Sequence, residues 1–114
     1  MASALEEACQ IYFNVCKNHT HTIDIHTLNR SIDKIENIIR LISNSKLNLS
    51  ECVEINNISR KLILFFLSNA EFFLKVAENE SNKELKSLFV LLGNNDIHFA
   101  HLLELKFGTI NVSV

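Results

Sequence analysis

The stretch Ile25-His-Thr-Leu28-Asn-Arg-Ser-Ile32-Asp-Lys-Ile35-Glu-Asn-Ile-Ile39-Arg-Leu-Ile42 decides the fold class. Ile25, Leu28, Ile32, Ile35, Ile39 and Ile42 recur at alternating spacings of three and four. On a helix of 3.6 residues per turn this gathers them into one heptad-like seam that must face a partner. A strand would need period-two alternation instead. Asp24 stands where an N-cap belongs, and Ser43-Asn44-Ser45 marks the end. Ile38 and Leu41 widen the stripe and predict packing on more than one side.

Helical spacing continues on both sides of this stretch. Upstream, a helix over 3–17 has Ser3 and Glu6 as a capping-box pattern, and Leu5, Ala8, Tyr12 and Val15 as its apolar stripe beside Cys9 and Cys16. The polar run Asn18-His-Thr-His-Thr22 ends it. Downstream, 49–79 stays helical, with Ser50 as an N-cap candidate and Asn56-Asn57 as a point where a short helix and a long one could part. Ile58, Leu62, Phe65, Phe72 and Val76 lie at helical spacing, and Leu62-Ile-Leu-Phe-Phe-Leu67 is apolar all round, which predicts a central, enclosed helix. Asn69 falls on the Phe65–Phe72 line and reads as a buried polar group or a surface turn. Ser81 with Glu84 caps a further helix, and Gly93 reads as its left-handed C-terminal glycine. Asn94, Asn95 and Asp96 then offer a fresh N-cap for a last helix that ends at Phe107 and is closed by Gly108. The expected fold is all-α: a compact bundle of five or six mostly antiparallel helices around one central apolar helix. It forms a single domain over 1–108, with a tail, 109–114, that alternates polar and apolar residues.

Composition agrees. A chain of 114 residues supports one core. Two glycines and no proline argue against a turn-rich β domain and against glycine-rich nucleotide loops. A net charge of −2 gives no field to steer the chain to nucleic acid. No apolar run approaches the roughly 20 residues a membrane span needs. Glu6 and Glu7 occupy the region where a secretory signal carries positive charge, so a cytoplasmic chain is expected. Cys9, Cys16 and Cys52 then read as reduced thiols. Against this stand the triplets beginning at Asn18, Asn29, Asn48, Asn57, Asn79 and Asn111, each Asn-x-Ser/Thr, which would suit a secreted, glycosylated helical signalling protein.

Catalytic signatures are sparse. His98 and His101 share a helix face, and His19, His21 and His26 cluster near the first loop. Were the chain to reverse at Gly93, the two groups could meet as a metal site in a helical bundle, although solvated or singly hydrogen-bonded imidazoles are the preferred reading. The sequence has no Gly-x-Ser-x-Gly elbow and no phosphate-binding loop. Cys16 near His19 lies on an apolar stripe, where a thiol belongs to a core. Neither a catalytic residue, a metal nor a cofactor is assigned, and no enzyme activity is expected. What remains is binding through helices: eight phenylalanines and a broad apolar helix 2 exceed what a small bundle readily hides. Leu28, Ile32, Ile35 and Ile39 would form a homodimer seam or one wall of a groove for an amphipathic partner helix.

Asn57-Ile-Ser-Arg60, followed by Leu62-Ile-Leu-Phe-Phe66, resembles the Asn-Trp-Gly-Arg motif and central apolar helix of the apoptosis-regulating B-cell lymphoma family. Leu28-Asn-Arg-Ser-Ile-Asp33 is similar to that family's Leu-x-x-x-Gly-Asp signature. Ile58 and Ser59 stand in place of the Trp and Gly, and Ile32 in place of the small residue. The resemblance is greatest to short viral members, which act in host cells on apoptosis or innate immune signalling, some of them as dimers. It implies that Arg60 pairs with a carboxylate of a partner's amphipathic helix, and that Leu62, Phe65 and Phe66 line or support the groove receiving it.

Overall fold

The computed structural model describes residues 1–17 and 24–108. The expected end of helix 1 in the run 18–22, His19, His21, the triplets at Asn18 and Asn111, and the tail 109–114 lie outside these residues. Within them the chain is all-helical, with no strand. There are four α-helices, not five or six: α1 (Ala2–Lys17), α2 (Ile25–Ser43), α3 (Leu49–Asn79) and α4 (Lys83–Leu103). A π-helical turn, Glu104–Gly108, follows α4.

Two expected breaks do not occur. Asn56-Asn57 lies inside an uninterrupted α3 of 31 residues. Asparagine is only a mild helix breaker, and burial of Ile55 and Asn56 anchors the helix there. Gly93 lies inside α4, and neither described glycine has a positive φ. Its small size has another use, since a Cβ added there would stand 2.8 Å from Leu74 Cγ and 2.9 Å from Leu74 Cδ2. Gly93 is therefore the point of close approach between α4 and α3, where any side chain would collide.

The caps show why the helices start where they do. Asp24 accepts from the His26 N–H at 3.0 Å and from the Thr27 hydroxyl at 2.9 Å, as its position predicts. Asn48, rather than Ser50, caps α3. It accepts from the Glu51 N–H at 2.8 Å, while its own N–H donates to Glu51 Oε1 at 3.3 Å, a reciprocal capping box. Asn82, rather than Ser81, caps α4 by accepting from the N–H groups of Glu84 and Leu85 at 3.0 and 3.2 Å. Helix α1 begins one residue before Ser3, and the Met1 carbonyl accepts its first bond from Leu5.

The described residues divide into two compact units, one within 1–58 and the other within 59–108. In the first, α1 packs on α2. The buried residues are Leu5, Ala8, Cys9, Tyr12, Phe13 and Cys16 from α1, and Leu28, Ile35, Ile39 and Ile42 from α2. Leu41 is exposed and Ile38 half-buried, so the core side of α2 is narrower than the width of its apolar stripe predicts. Burial pushes the Cys9 thiol up to about 12, as expected of a reduced core cysteine. Cys9, Cys16 and Cys52 all carry thiols.

In the second unit α3 and α4 share an aromatic core. Phe66 lies 5.4 Å from Phe99 and Phe73 stacks on Phe89 at 6.2 Å between ring centroids. Leu62, Phe66, Ala70, Phe73 and Ala77 bury one side of α3, and Phe89, Leu92, Phe99, Ala100 and Leu103 the matching side of α4.

Candidate functional site

Helix α3 is not enclosed. The apolar run that predicts a surrounded helix divides in two: Leu62 and Phe66 point into the core, while Leu64, Phe65 and Leu67 are exposed. Relative exposure is 70% at Leu64, 56% at Phe65, 45% at Leu67 and 50% at Phe72. At 100° per residue these four fall within about half the circumference of the helix. Asn69 is half-buried at the edge of this face, and Phe65 and Phe72, which its position was expected to join to the core, lie on the outside.

Charge borders the apolar residues. Arg60 and Lys61 lie before them, Glu71 and Lys75 among and after them, and Glu78 one further turn along, all exposed. Lys75 Nζ stands 3.0 Å from Glu71 Oε1, an i,i+4 pair open to solvent on both sides and therefore of little energetic weight. Scattered apolar residues on a surface need no explanation, but two phenylalanines and two leucines on one side of one helix do.

The residues singled out from the sequence separate cleanly. Arg60 and Phe65 reach the surface, and Leu62 and Phe66 lie beneath it as support. Leu28, Ile35 and Ile39 are buried within the chain and Ile32 is half-buried. The helix 2 seam is thus largely occupied by the chain's own core, and α2 leaves only Ile25 and Leu41 as large exposed apolar side chains. His26, His98 and His101 are all exposed, and among the described residues no group of three or more His, Cys, Asp or Glu is placed to hold a metal ion. The triplet asparagines Asn29, Asn48, Asn57 and Asn79 are all exposed, whereas Ser31 and Ser59, which complete two of the triplets, are buried.

Three outward-facing residues are read from the sequence as enclosed. Leu64, Leu67 and Phe72 carry most of the exposed apolar surface with Phe65, and the line Lys61-Ser68-Lys75 at seven-residue spacing was the signal that this side faces water. Asp96 is a fourth misreading. It is the only charged residue in the core among the described residues, not a helix cap. The stripe Phe89, Leu92, Asp96, Phe99, Leu103 passes through it at spacings of three and four. The Ser59 hydroxyl is fully enclosed and finds no hydrogen-bond partner among the described residues.

No helix among the described residues is long and apolar enough to cross a membrane. Comparison with known proteins returned no matching family model, no similar curated protein and no similar solved structure.

Proposed function

We propose that this chain is a non-catalytic protein–protein interaction module that works through the outer face of α3. The observation carrying the reading is the cluster of Leu64, Phe65, Leu67 and Phe72 on one side of a well-packed helix, with Arg60 and Lys61 at its border. Exposed apolar clusters of this kind, interleaved with and bordered by polar and charged residues, mark docking surfaces. The underlying helix is rigid because Leu62, Phe66, Ala70 and Phe73 hold its other side, so little ordering cost falls on binding. The sequence resemblance extends the reading to a regulator of apoptosis or innate immune signalling in the cytoplasm of a host cell. In that role Arg60 would meet an acidic side chain of the bound helix.

Photocrosslinking in cells that make the protein tests the reading. A photoreactive phenylalanine analogue at position 72 should give one discrete adduct band. The same analogue at position 34, where Lys34 is exposed on α2, should give none. Equal labelling at the two positions, or none at either, would overturn the proposal.

A further inference from the structure

We propose that the occupant of this face is a second copy of the chain, with α3 packed antiparallel on α3 about a two-fold axis at Ser68–Asn69. This rests on the reading of the α3 outer face as a docking surface. At 100° per residue, Leu64 and Ser68 run along the middle of the exposed side, Phe65 and Phe72 lie on one flank, and Arg60 and Glu78 on the other. Arg60 and Glu78 are eighteen residues apart, five full turns, so they share one line along the helix, with its midpoint at residue 69. Phe65 and Phe72 have their midpoint between 68 and 69. One axis therefore serves both pairs.

In an antiparallel pair each flank meets its own counterpart, so Phe65 of one protomer lies over the partner's Phe72, and Arg60 faces the partner's Glu78. Symmetry makes each contact twice. A parallel two-fold pair would bring opposite flanks together, setting Arg60 and Glu78 against the partner's Phe65 and the partner's Phe72 with no opposite charge to meet. Flanking charges of this kind choose helix orientation and partner. Ser68 at the crossing is small and exposed, which lets the two helices approach closely there. Lys75 is already matched by Glu71 at 3.0 Å. The cost falls on Lys61, which has no acid opposite it and must carry its ammonium to water along its alkyl stem.

Sedimentation equilibrium of the full chain tests this with charge swaps at two exposed positions. Arg60→Glu and Glu78→Arg should each weaken the dimer roughly tenfold, since each creates two like-charge contacts, and the double swap should restore it. Ser68→Cys in a Cys52→Ser background should oxidise to a disulfide-linked dimer, and this readout stands even if a charge variant folds poorly. A wild-type dimer indifferent to both swaps, with no cross-link at 68, would overturn the antiparallel pairing. A monomeric chain whose position 72 still labels a different protein would overturn the second copy and keep the docking surface. A monomer that labels nothing would remove both.

Discussion

At the scale of single residues, Gly93 shows how one small side chain can be read correctly as special and wrongly as to why. Glycine near a run of asparagines signals a helix stop, yet here the φ angle is ordinary and the requirement is space. Adding a methyl would gain up to about 1 kcal/mol of helix propensity. Against this, a Cβ 2.8 Å from Leu74 Cγ must drive that side chain into another rotamer, and a helix leaves it few to choose from. Overpacking of this kind costs about 1–3 kcal/mol, so the clash wins. Gly93→Ala should lower stability in urea by about 1 kcal/mol net, while Gly93→Ala in a Leu74→Ala background should raise it, the collision having gone. Additive effects of the two substitutions would show that Leu74 is not the obstacle.

The elements show which signals in a sequence survive packing. The alternation of three and four in α2 is legible because Leu28, Ile35, Ile39 and Ile42 all go to one core, and Asp24 is legible because a cap acts locally. The breaks expected at Asn56-Asn57 and Gly93 failed because propensity is worth a fraction of a kcal/mol per residue and burial of neighbouring side chains exceeds it. Half of the candidate site was legible for the same reason. Leu62-Ile-Leu-Phe-Phe-Leu67 announces an apolar helix, but the inward and outward members can be separated only by the polar line Lys61-Ser68-Lys75. The cap of α2 also makes a test. The Thr27 hydroxyl and the His26 N–H hold the Asp24 carboxyl below its ordinary value of 3.8. A carboxylate favoured in this way stabilises the helix above that value, and the contribution is lost as pH falls below it through the lowered value of the folded chain. Asp24→Ala should melt a few degrees below wild type near neutral pH, with the gap closing in acid below 3.8. A gap that persists undiminished at low pH would mean that the charge on Asp24 contributes nothing.

For the molecule as a whole, the distribution of apolar surface matters more than its amount. Of the large apolar side chains left exposed among the described residues, Met1, Ile11, Ile25, Leu41 and Leu49 are scattered over the first unit, while Leu64, Phe65, Leu67, Phe72, Leu85, Val90, Leu91 and Leu105 belong to the second. A core that had simply run out of interior would leave its surplus spread along the chain, whereas four of these residues share the outer side of α3. If that side is covered in solution, the cover binds the folded state alone, and mass action then couples stability to concentration. The wild-type melting temperature should therefore rise as the protein is concentrated over two orders of magnitude. The double variant Phe65→Glu/Phe72→Glu should melt at one temperature throughout, close to that of the dilute wild type, because both side chains are about half exposed whereas Phe66 and Phe73 hold the core. Its far-UV circular dichroism should be unchanged. By contrast, Phe66→Ala should cost about 3–5 kcal/mol at every concentration, since it empties a fully buried site. A wild-type melting temperature independent of concentration would reject self-association through this face. A large loss of stability in the dilute double variant would show that Phe65 and Phe72 serve the fold rather than a partner.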